Sequence, residues 1–99
     1  MLSALQRRIA SLVAGLDEAD TFALAGGAGL IVHRLVDRET HDLDFFATTQ
    51  AAVSELAPAL EQALSAAGLE VRRLQDSPGF IRLEVASSDD VCEVDLAFD

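Results

Sequence analysis

Apolar residues recur every three or four positions between residues 2 and 16, at Leu2, Leu5, Ile9, Leu12, Val13 and Leu16. Gln6, Arg7, Arg8 and Ser11 fill the other positions, which predicts an amphipathic helix with that second set facing water. An acidic break at Asp17, Glu18 and Asp20 follows, and then a short apolar run, 22–25, that stops at Gly26 and Gly27. That run reads as a buried strand entering a tight turn. Residues 28–36 return to helical spacing, with Leu30, Ile31, Leu35 and Val36 turned inward.

Residues 37–41 form a charged connection, and 42–47 form a second strand. There Leu43 and Phe45 point away from the face that carries Asp42, Asp44 and Phe46. Thr48, Thr49 and Gln50 offer an N-cap for a helix over about 50–67, paced by Val53, Leu56, Leu60 and Leu64. Pro58 interrupts it with a kink or a break, and Gly68 suits its C-terminal cap. Three strands then follow at 69–74, 80–86 and 91–98, separated by turn signals at 76–79 and 87–90. The last strand sets Cys92, Val94, Leu96 and Phe98 against Val91, Glu93, Asp95 and Ala97. The element order predicts an α+β (α/β-like) domain: a mixed sheet of about five strands with helices mainly on one face.

Composition narrows the function. Ninety-nine residues make one domain with one core. A net charge of −10 disfavours free-standing binding to nucleic acid or to an anionic membrane, since both need cationic surface. The N-terminus lacks the apolar stretch of a signal peptide, and no apolar run reaches the roughly 18 residues of a membrane span. The single cysteine, Cys92, cannot close an internal disulfide and reads as buried filler. A cytoplasmic location is therefore expected. His33 and His41 lack paired spacing with further ligands, so structural zinc is not expected.

The chemistry-bearing residues are the acids. Asp42 and Asp44 emerge side by side on one strand face, a placement unfavourable for stability but suited to a divalent cation. If the last strand lies beside this one, Asp95 supplies a third carboxylate, able to accept a proton from an attacking hydroxyl. Free backbone N–H groups where the Gly26-Gly27 turn enters a helix can receive phosphate. Each feature also has a plainer reading: a solvated strand face for Asp42 and Asp44, a surface acid for Asp95, an ordinary turn for the glycines. Arg38 can equally pair with Asp37, Glu39 or Asp42.

Gly26-Gly27, fourteen residues, Asp42-Leu43-Asp44, and a later Val94-Asp95-Leu96 together resemble the polymerase-beta nucleotidyltransferase superfamily. The string LAGGAGLIVHRLVDRETHDLDFF, with Arg38 and Thr40 ahead of the paired acids, is similar to the AbiEii/AbiGii toxin family within it. The resemblance implies that Gly26 and Gly27 contact the triphosphate of an NTP and that Arg38 reaches phosphate. It implies that Asp42, Asp44 and Asp95 are catalytic and hold Mg²⁺ or Mn²⁺. The implied reaction moves a nucleoside monophosphate onto a hydroxyl of an RNA, such as tRNA, or of a protein, in a toxin paired with an antitoxin. Ala28 stands where many relatives carry Ser or Thr. Relatives also continue past the third acid into a helical portion, so 1–99 is expected to be one nucleotidyltransferase-like domain without it. The alternative expectation is a catalytically incomplete module that senses nucleotide or binds protein and self-associates as a homodimer.

Overall fold

The computed structural model describes residues 3–18, 43–47 and 49–98. Helix α1 spans Ala4–Ala14. Strand β1 (Leu43–Ala47) precedes helix α2 (Gln50–Ala66), and β2 (Glu70–Ser77), β3 (Phe80–Ala86) and β4 (Val91–Phe98) follow. The domain is α+β: the four strands form one mixed sheet in the order β1-β4-β3-β2, with both helices packed on one side. Four strands are described rather than about five. The strand expected over 22–25 and the helix over 28–36 lie outside the described residues.

Each helix is stopped by local chemistry. The Ser3 hydroxyl accepts from the Gln6 N–H, and the Gln6 side chain accepts from the Ser3 N–H at 2.8 Å, a complete capping box. This corrects the sequence expectation for Gln6, which is buried rather than turned to water. Its amide is occupied by the cap, so burying it leaves no unmet acceptor. Thr49 caps α2, accepting from the Ala52 N–H. At the other end the Gly68 N–H reaches the Ser65 carbonyl and the Leu69 N–H reaches that of Leu64, with Gly68 at φ +85°. That is a Schellman closure, and it needs a residue tolerant of the left-handed region. Pro58 neither breaks nor splits α2, which runs as a single helix. Pro58 is exposed, as is Ser54, whose carbonyl loses a partner to the missing N–H.

The sheet is built by a crossover and a meander. From β1 the chain crosses through α2 to β2 at the far edge, then returns through β3 and β4, so that β4 lands parallel to β1. Pro78-Gly79 joins β2 to β3, with Gly79 at φ +79°, as a two-residue turn ending in a left-handed position requires. The expected third strand, 69–74, extends through Ser77. The ladder slips between Arg73 and Gln75, inserting Leu74. The extra residue puts Arg73 and Asp76 on the same, helix-facing side, although residues three apart on a regular strand oppose one another. There Arg73 donates from Nε to Glu61 of α2 at 3.0 Å and from Nη1 to Asp76 at 3.0 Å. The Glu61 hydrogen bond, aided by Asp76, pushes the Arg73 pKa above its ordinary value despite partial burial.

The core lies between the helices and one sheet face. Ile9 of α1 and Val53, Leu56, Leu60 and Leu64 of α2 meet Leu43, Leu83, Val85, Val94 and Leu96, all fully enclosed. Cys92 is buried in the same layer. Phe98, expected on this face, is 45% exposed at the strand end. Strict alternation along β1, β3 and β4 therefore commits every second residue to stability. The residues between face away from that core.

Candidate functional site

The sheet face turned away from the helices is laid out in rows. Strand pairing puts Asp44 directly beside Asp95, and Asp95 directly beside Arg82. Two residues along, Phe46, Ala97 and Phe80 form the next row. On the other side Glu93 pairs with Glu84, and Glu84 with Arg72. Because Leu43, Phe45, Val94 and Leu96 are fixed in the core, a register slip would bury the acids, so the core itself specifies the carboxylate row.

Asp44 and Asp95 thus come from distant parts of the chain to adjacent positions on one face. Neighbouring strands lie about 4.8 Å apart, so the two carboxylates are within reach of a single cation. Arg82 already supplies positive charge there. Its Nε donates to Asp95 Oδ1 at 2.8 Å and its Nη2 to Oδ2 at 3.0 Å, a two-pronged ion pair. The same Nε lies 3.4 Å from Glu93 Oε1, and the guanidinium carbon sits 5.4 Å from the centre of the Phe80 ring. The Asp95 side chain is 16% exposed and that of Arg82 38%, so the pair is shielded but reachable.

Of the site residues expected from sequence, Asp44 and Asp95 are brought together. Asp42, Gly26, Gly27 and Arg38 lie outside the described residues, as do His33 and His41. Among the described residues no group of three or more potential ligands is assembled around a metal position. Two carboxylates at facing strand positions nevertheless fit a hard divalent cation, because Mg²⁺ commonly takes one or two protein carboxylates and fills its remaining positions with water and phosphate oxygens. Arg82 was missed by sequence reasoning, which read residues 80–86 only as a strand. The available signal was a lone arginine alternating with core residues on a strand next to an acid-bearing one.

The family model for the AbiEii nucleotidyl transferase toxin of type IV toxin–antitoxin systems matches residues 11–97, most of the chain. The chain belongs to the AbiEii family. The match spans both β1 and β4, so the Asp44–Asp95 pair falls inside the AbiEii region. AbiEii membership makes the chain one of a family of nucleotidyltransferase toxins. Neither the curated proteins nor the solved structures provide a match. Among the described residues, no helix is long and apolar enough to cross a membrane.

Proposed function

We propose that this AbiEii-family domain binds an NTP with a divalent cation, Mg²⁺ or Mn²⁺, and transfers its nucleoside monophosphate to a hydroxyl on an RNA or a protein. An antitoxin would hold the activity in check. The observation that carries the reading is the pairing of Asp44 with Asp95 on adjacent parallel strands inside the family match. Asp44 and Asp95, together with Asp42, would hold the cation, which when bound neutralises phosphate charge and aligns the attacking and leaving oxygens.

The remaining work falls to the chain. On this reading Gly26 and Gly27 would offer backbone N–H groups to the triphosphate, and Arg38 would add positive charge for it. Asp95, on the strand beside Asp44, accepts the proton of the incoming hydroxyl at a carboxylate oxygen. The hydroxyl oxygen forms its bond to the α-phosphorus as the bond to pyrophosphate breaks, and pyrophosphate leaves with the electron pair. Arg82 donates to both Asp95 oxygens and orients that carboxylate, while Glu93 contacts the same guanidinium from its other side.

The test is a thermal melt with and without Mg²⁺ and each NTP. The wild-type chain gains several degrees with its preferred nucleotide, and the Asp42→Asn, Asp44→Asn double variant gains none. Only ligand-induced shifts are compared, because removing paired negative charges changes the stability of the free protein as well. A double variant that keeps the whole shift places the nucleotide elsewhere.

A further inference from the structure

Arg82 occupies both oxygens of the one carboxylate on β4 that a cation beside Asp44 would need. It is held there from three directions: by the fork to Asp95, by Glu93 at 3.4 Å, and by the Phe80 ring beneath its guanidinium. We propose that Arg82 is the resident counter-cation of the acidic row. It holds Asp95 in place in the metal-free protein, competes with an incoming divalent cation for Asp95, and so sets the affinity for metal. Arg82 acts through Asp95 and is a positioning residue.

The chemistry follows from the planar geometry of the pair. A guanidinium that takes both oxygens in parallel hydrogen bonds leaves few well-aligned lone pairs for a metal. It also places a positive charge where a second one must enter, which lowers cation affinity. The benefit is order. Without a partner, Asp95 would face Asp44 and Glu93 on the same surface, and like charges at that spacing drive side chains apart. Arg82 thus keeps the site assembled at the expense of tight metal binding. A metal ion that takes the same lone pairs displaces the guanidinium from at least one carboxylate oxygen.

This inference rests on reading Asp44 and Asp95 as a cation pair, and the experiment separates the two claims. Mn²⁺ is titrated without nucleotide into the wild-type chain and into Arg82→Gln, Arg82→Lys and Asp44→Asn, with free Mn²⁺ followed by electron paramagnetic resonance. Thermal melts with and without Mn²⁺ run alongside. The expected result is Mn²⁺ binding by the wild type that Asp44→Asn abolishes, and binding about tenfold tighter in Arg82→Gln. Arg82→Lys falls between them, because an ammonium keeps the charge but cannot cover both oxygens at once. Arg82→Gln should also melt lower than wild type without metal and show the larger Mn²⁺-induced shift.

Suppose instead that Asp44→Asn abolishes binding while Arg82→Gln binds Mn²⁺ no tighter than wild type. Arg82 is then a structural bridge, and the proposal is overturned with the cation pair intact. If neither wild type nor Arg82→Gln binds Mn²⁺, or if Asp44→Asn leaves binding unchanged, the cation pair itself fails and takes the proposal with it. Should Arg82→Gln fail to fold, Arg82→Lys decides: affinity equal to or weaker than wild type refutes the competition.

Discussion

Asp95 and Leu96 are consecutive on β4, and the two faces of that strand predict opposite consequences for changing them. Leu96 is fully buried and paired with Phe45 on one side and Ile81 on the other. Leu96→Ala removes three carbons from a closed core, and the lost transfer energy plus the residual cavity should cost about 3 kcal/mol. For a chain of this length each kcal/mol moves the melting temperature by about 4–8 °C, so the variant should melt about 12–24 °C lower. Asp95→Asn keeps the shape and one acceptor for Arg82 but loses the ionic part of the fork, a loss of about 1 kcal/mol. Against this, it removes repulsion from Asp44, worth about 0.8 kcal/mol for charges ~5 Å apart at the dielectric of water. The two nearly cancel, and the net change should stay within about 1 kcal/mol.

The chain has no tryptophan or tyrosine, so far-ultraviolet circular dichroism is the suitable probe for urea and thermal melts. Each melt is repeated with Mg²⁺ and NTP. Leu96→Ala should be much less stable yet keep its ligand-induced shift at temperatures where it is folded. Asp95→Asn should have near-native stability and lose the shift. An Asp95→Asn variant as destabilised as Leu96→Ala would refute the division of labour, making Asp95 part of the scaffold rather than the site.

Two further outcomes test the scaffold. Gly68→Ala forces a side chain into the left-handed region at the end of α2 and should cost about 1 kcal/mol, read from the urea midpoint. Glu61→Gln weakens the tie between α2 and the bulged edge strand. Its cost should be below about 1 kcal/mol in dilute buffer and smaller still in 1 M NaCl, because the pair is partly exposed and screened; a cost independent of salt would point to packing instead.

Much of the scaffold is legible in the amino-acid sequence. The bounds of β3 and β4 follow from alternation alone, because each of these strands has one face in the core and one outside it. The extension of β2 to Ser77 was not legible. Asp76 and Ser77 look like turn residues, yet after the bulge at Leu74 the ladder includes both, paired with Ile81 and Phe80. Gln6 was misread because a glutamine at a polar helical position carries no sign of being consumed by its own cap. Pro58 does not split α2: an exposed position in a helix anchored by Leu56, Leu60 and Leu64 tolerates one missing hydrogen bond.

For the site, the sequence could place Asp44 and Asp95 on the outward faces of their strands. Whether those strands touch is a property of topology, and the meander that returns β4 to β1 leaves no local signature. Arg82 was harder still, since its partnership with Asp95 depends on both register and topology.

The most direct test is an anomalous difference map from crystals of the wild-type chain soaked with Mn²⁺ and a non-hydrolysable NTP analogue. The account predicts a peak within about 2.0–2.6 Å of carboxylate oxygens from both Asp44 and Asp95, with triphosphate oxygens completing the shell. An ordered nucleotide whose Mn²⁺ touches neither carboxylate would contradict it.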